Sequence, residues 1–118
     1  MQRKFRLTRS EDFKRVRRIG KSYAHPLVVL VAQASESPHP VHVGVAAGKT
    51  VGTAIQRNRA KRILREAMRP LLREASIPAD WDIALIARPA LVSATLEDVR
   101  AALIHLLRRA QILPADES

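Results

Sequence analysis

Apolar positions along the chain change period four times, and each change marks an element. Phe13 and Val16 fall on one side of a segment otherwise filled with Lys and Arg, the spacing of a helix with a narrow apolar stripe. Thr8 followed by Glu11 has capping-box spacing, with Ser10 a rival N-cap, so a helix is expected over about Ser10 to Ile19 with Gly20 ending it. Leu27 to Ala32, LVVLVA, is a continuous apolar run after Pro26 and suits a buried strand. Gln33 to Pro40 is rich in Ser, Pro, Glu and His and reads as the loop of a hairpin. Val41, Val43 and Val45 then alternate with His42, Gly44 and Ala46, which is strand periodicity.

Gly48 to Gly52 is turn-like, and Thr53 with Gln56 repeats the capping-box spacing. A helix should start there and run through Arg57 to Arg69 until Pro70 ends or kinks it. Ile83 to Ala87, IALIA, is a second short buried strand closed by Pro89. Thr95 or Ser93 caps a last helix carrying Leu96, Val99, Leu103, Leu106 and Ala110 at helical spacing, and Pro114 stops it. The order of helix, strands, helix, strand, helix implies an α/β sandwich of one sheet covered by helices.

At 118 residues the chain suits one domain, 1–118, with segments 1–7 and 114–118 expected to be flexible. A hydrophobic content of 47% is enough to offset the entropy of ordering a backbone, so the basic character does not mean disorder. The absence of cysteine removes disulfides, thiolate metal sites and cysteine nucleophiles, and fits a reducing cytoplasm. Met1 to Arg6 leads into more charge instead of an apolar signal segment, and no run approaches the roughly 20 apolar residues of a membrane span.

The net charge of +10 is concentrated. Met1 to Lys21 holds nine Lys or Arg against Glu11 and Asp12, and Arg57 to Arg69 holds six against Glu66 alone, so the remainder of the chain is slightly acidic. Such concentration points to a polyanion, either nucleic acid or an anionic membrane surface. Projected at 100° per residue, Ala60, Ile63, Leu64, Ala67 and Leu71 form an apolar stripe, with Asn58, Lys61, Arg62, Arg65 and Arg69 opposite and Arg57 and Arg59 flanking. Like charges stacked along one face repel, so this helix forfeits stability unless phosphates lie against it. The preponderance of arginine favours forked phosphate contacts, and Asn58 can reach a backbone oxygen or a base edge. The membrane option lacks the aromatic anchors of an interfacial helix.

No catalytic or metal cluster emerges. His25, His39, His42 and His105 have no paired ligand spacing, and Asp80 and Asp82, which bracket Trp81, are expected to satisfy turn amides. Trp81 and Tyr23 read as core or sheet-edge residues, and Glu66 as the ion-pair partner of Arg62 or Arg69.

Val43 to Arg69, VGVAAGKTVGTAIQRNRAKRILREAMR, resembles the signature of the protein subunit of bacterial ribonuclease P, an Arg-Asn-Arg followed by Lys-Arg and Arg-Glu, matched here by Arg57, Asn58, Arg59, Lys61, Arg62, Arg65 and Glu66. Arg6-Leu7, then Glu11-Asp12-Phe13 with its basic helix, and later Asp82, the apolar strand and Ala87-Arg88 extend the likeness from about Arg6 to Leu107. The resemblance implies a two-layer αβββαβα sandwich, ribosomal-protein-like, with a left-handed βαβ crossover through the arginine-rich helix; Ser22 to Ala24 would supply its fourth strand. It also implies that the RNA subunit does the chemistry with Mg2+, hydrolysing one phosphodiester of precursor tRNA to remove the 5′ leader. The protein would bind no cofactor of its own.

Carried over, Lys49, Arg57, Asn58, Arg59, Lys61, Arg62, Arg65 and Arg69 would face the ribozyme, and Phe13, Lys14, Arg17 and Arg88 would hold the leader, with neither DNA nor membrane as partner. Two departures stand out. Arg17 and Val31 occupy positions where the family often has further aromatics, and Lys49-Thr50 stands where two lysines are common. The alternative from another class is a structural, ribosomal-type RNA-binding protein.

Overall fold

Both central strands read as continuous apolar runs because both of their faces are covered. The computed structural model describes residues 6–7, 9–35, 40–74, 77–78 and 80–114. Its elements are α1 (Ser10–Ile19), β1 (Lys21–Ala24), β2 (Val28–Ala34), β3 (His42–Ala46), α2 (Ala54–Glu74), β4 (Trp81–Ala87) and α3 (Leu96–Arg109), with 3-10 turns at Lys49–Val51 and Pro89–Ser93. The sheet order is β1-β2-β4-β3. β2 lies antiparallel to β1 and β4, and β3 is parallel to β4. Val28, Leu30 and Ala32 of β2 join Ile83, Leu85 and Ala87 of β4 in the main core beneath α2 and α3. Val31 and Ala84 point the other way, under Val16 of α1.

The fold class and the αβββαβα order agree with expectation, including the fourth strand. The two-layer description fits the sheet with α2 and α3, and α1 adds a partial layer on the opposite face. One pairing differs from the sequence reading: β2 and β3 do not form a hairpin, because β4 lies between them. Loop composition at 33–40 marks a change of direction but carries no information about which strand becomes the neighbour; residues 36–39 of that loop lie outside the described residues. Pro70 does not end α2, which continues to Glu74. The hydrogen bond that proline withholds is outweighed by packing of the last turns, where Met68 is fully buried, Leu71 nearly so, and Leu72 lies against the same core.

Helix ends follow local chemistry. Thr53 N–H donates to Gln56 Oε1 at 2.8 Å and Gln56 N–H to Thr53 Oγ1 at 3.2 Å, so the expected box opens α2. The Thr95 hydroxyl accepts from Asp98 N–H at 3.1 Å and caps α3. Thr95→Ala should therefore cost about 1 kcal/mol of stability, measured by a thermal melt, without touching the basic surfaces described below. At α1 the N-cap is Arg9 with no side-chain bond, Ser10 is already helical, and Thr8 lies outside the described residues. Gly20 ends α1 with an ordinary φ of −73°. Glycine is required there by close approach, since a Cβ would sit 2.5 Å from the Val16 carbonyl oxygen and 2.8 Å from Val31 Cγ1.

Of the end segments expected to be flexible, 1–5 and 115–118 lie outside the described residues. Arg6 bridges to Val43, and Leu7 N–H donates to the Val43 carbonyl at 2.9 Å, so Arg6 and Leu7 are tied to the β3 edge. No described helix is long and apolar enough to cross a membrane.

Candidate nucleic-acid interface

Ala60, Leu64, Ala67, Met68 and Leu71 seat α2 on the core. Ile63, expected in that stripe, is only half-buried, whereas Met68 and the Nε of Arg57 are buried. The helix is thus rolled relative to its simple projection. The solvent face centres on Asn58, Arg59, Arg62 and Arg69, all exposed, and Ile55 stands 82% exposed in the first turn. Lys49 is exposed in the 3-10 turn that leads into it. Glu66 accepts from Arg69 Nη2 at 2.8 Å, which resolves its pairing and leaves Arg59 and Arg62 at the centre of the positive face. Lys61 and Arg65 move to one flank, and Arg57 is half-buried.

Arg65 turns toward the edge of β3. There a cavity of about 270 Å³ is lined by Arg6, Leu7, Phe13, Val43, Gly44, Val45 and Arg65. Burial first, and the nearby charge of Arg6 second, pull the Arg65 guanidinium below its ordinary pKa. Two guanidiniums in one recess favour an anionic occupant with forked oxygens, because an anion between them accepts from both and relieves their mutual repulsion. Phe13 is half-buried in the small cluster under α1 and lies over Gly44, where a Cβ would come within 2.7 Å of Phe13 Cδ2. Its ring therefore packs on the sheet and also lines the recess.

Of the other residues assigned to a leader, Lys14 and Arg17 are exposed on α1 and Arg88 is exposed just beyond β4, and none of them lines this cavity. Val31 is buried beneath α1 and offers no surface.

Asp82 is where sequence reasoning misassigned a role. It is not a turn residue but lies in β4, 6% exposed, the single buried charged side chain among the described residues. Arg15 Nη2 donates to its Oδ2 at 2.6 Å, and His42 Nδ1 lies 3.3 Å from its Oδ1. Arg15 also donates through Nε to Gln33 Oε1 and through Nη1 to Asp12 Oδ1, each at 3.1 Å. Only the Asp12 spacing was visible in the sequence as an i, i+3 pair; Gln33 and Asp82 are distant along the chain.

His25 and His105 meet edge to face at 6.2 Å, and His39 lies outside the described residues. Tyr23 sits at the β1 edge between Lys21 and Arg109, each 5.8 Å from its ring centroid, and Trp81 packs against the main core. No group of three or more His, Cys, Asp or Glu that could hold a metal ion occurs among the described residues.

The family model described as Ribonuclease P matches residues 1–111. The chain is 35% identical to the ribonuclease P protein component of Brevibacillus brevis, over 96% of this chain and 88% of that one. It is 39% identical to that of Herpetosiphon aurantiacus, over 95% and 89%. Among solved structures it resembles the Staphylococcus aureus RNase P protein with a TM-score of 0.76 at 28% identity, covering 92% of this chain and 97% of that one. The Thermotoga maritima RNase P protein gives 0.72 at 29%, covering 88% and 96%.

Proposed function

This chain belongs to the ribonuclease P protein component family, and from that premise we propose that its α2 face docks on the RNA subunit while the α1 side of the β3 edge receives the 5′ leader of precursor tRNA. Membership makes it a subunit of ribonuclease P with an RNA partner. The division of labour beyond that is our reading. Arg59 and Arg62, with Lys49 and Arg57 beside them, neutralise phosphates of the ribozyme while the Asn58 amide hydrogen-bonds a backbone oxygen or base edge, so the RNA reaches its active fold with less Mg2+. The RNA, with its Mg2+, carries out the attack of water on the scissile phosphodiester, leaving the 5′ phosphate on the mature tRNA, and the setting is the cytoplasm.

The observation that carries this reading is the shared recess. Arg65 from the arginine-rich helix and Phe13 from the first helix line one cavity at the β3 edge. A strand crossing from the ribozyme surface to α1 would meet guanidiniums first and an aromatic face next. Lys14 and Arg17 would then follow its backbone, with Arg88 as an outer contact. Charge that tracks a backbone together with a ring that stacks on any base is what sequence-tolerant single-strand binding requires.

The experiment is reconstitution. The protein freed of RNA should leave precursor tRNA intact, and added to the RNA subunit it should lower the Mg2+ concentration at half-maximal cleavage. Site-specific cleavage by nuclease-treated, RNA-free protein would overturn the assignment of chemistry to RNA. Sequencing the RNA that copurifies with a tagged chain separates this reading from a ribosomal component.

A further inference from the structure

Arg15 belongs by sequence to the run Lys14, Arg15, Arg17, Arg18, which reads as a basic helix aimed at RNA. Its neighbours Lys14, Arg17 and Arg18 are exposed, but Arg15 turns inward. All three of its guanidinium nitrogens donate to protein acceptors, on α1, β2 and β4. Three of the five N–H donors of Arg15 are thus committed within the protein.

We infer that Arg15 is a positioning residue, whose ion pair with Asp82 fixes the roll of α1 and so sets where Phe13 stands above Gly44; the inference rests on the leader reading given above. α1 has ten residues and buries only Val16 completely. A helix this short is marginal by itself and takes its stability from tertiary contacts. A single buried valine on Val31 and Ala84 resists withdrawal of the helix but not rotation about its axis. Arg15 and Phe13 project on either side of Val16 in the helical projection, so the pair with Asp82 on one flank and the ring over Gly44 on the other define the roll together. Among the described residues, the groups facing the pair are Asp12 from α1, Gln33 from β2, His42 from β3 and Asp82 itself from β4, so β2, β3 and β4 all contribute.

Leader recognition separates a positioning residue from a phosphate contact and from a generic structural one. Holoenzymes would be reconstituted with wild-type protein, Arg15→Gln, Arg15→Lys and Asp82→Asn, and binding of precursor and mature tRNA measured across a KCl series, with a thermal melt of each protein. Arg15→Gln and Asp82→Asn should each lower the precursor-to-mature affinity ratio about tenfold, the scale of one stacked base, with the salt slope unchanged. Arg15→Lys, which keeps a charged donor for Asp82, should restore most of the ratio.

An unchanged ratio in Arg15→Gln overturns the inference while leaving the leader reading intact. A slope reduced by about 0.7, the value for one phosphate of a single strand, also overturns it, by making Arg15 a direct contact. Loss of precursor and mature binding in equal proportion overturns it as well. Wild-type holoenzyme that binds both RNAs equally would remove the leader reading and this inference together. Should Arg15→Gln fail to fold, Arg15→Lys and Asp82→Asn decide by the same ratio.

Discussion

Changing Arg59 and Arg62 together to Glu should weaken assembly with the RNA subunit by at least about two orders of magnitude, because a charge-assisted hydrogen bond is worth roughly 1.5–3 kcal/mol and two are lost. Both side chains are exposed at the centre of the α2 face, and the main core reaches neither, so the protein should still fold. The slope of log affinity against log salt should shallow by about 0.7 to 0.9 for each contact removed, and further as the new carboxylates repel phosphate. A matched control is Arg108→Glu on α3, which is also exposed but lies on another helix and should alter only long-range attraction. Binding measured over a KCl series, beside a melt of each variant, checks this. If the double variant binds with wild-type affinity and slope, α2 is not the RNA surface.

Choosing Arg59 and Arg62 depended on the structure. The sequence makes α2 legible because its cap, its apolar stripe and its basic residues are all local, and the Thr53–Gln56 box forms as the spacing requires. The roll of the helix is not local. It depends on how Met68 and Leu71 meet strands that arrive from elsewhere in the chain, and those contacts carry Arg65 from the centre of the expected face to a recess shared with Arg6 and Phe13. Strand order was hidden for the same reason, since the β2 run looks the same whether β3 or β4 lies beside it. Arg15 and Asp82 are 67 positions apart, and an arginine in a basic run reads alike whether it faces solvent or a buried carboxylate. Local caps and periods, and a motif carried by neighbouring residues, survive a sequence reading; the assignment of individual cations does not, because a long flexible side chain chooses its partner in three dimensions.

Phe13→Leu should lower affinity for precursor tRNA by roughly 1–3 kcal/mol per stacked base lost while leaving mature tRNA binding as it was. Two roles compete for this ring, and the geometry gives it both. As an anchor it lies over Gly44 and beside Leu7 in the cluster beneath α1. As a ligand surface it lines the cavity that also holds Arg6 and Arg65. Leucine keeps apolar bulk against the sheet, and core swaps of this kind cost less than truncation to alanine, so the fold should tolerate it. What leucine lacks is a flat π face. A companion variant approaches the ring from below: in Gly44→Ala the new Cβ would fall 2.7 Å from Phe13 Cδ2 and 3.2 Å from Leu7 Cβ, displacing the ring without removing it. Both variants should lose preference for precursor over mature tRNA, and the loss should grow with leader length until the leader spans the recess and then level off. Reconstituted holoenzymes, a leader-length series and a melt of each free protein measure this directly. A Phe13→Leu protein that melts well below wild type, or that loses precursor and mature tRNA equally, would assign the ring to the core alone and leave the leader to Lys14, Arg17 and the paired guanidiniums of Arg6 and Arg65.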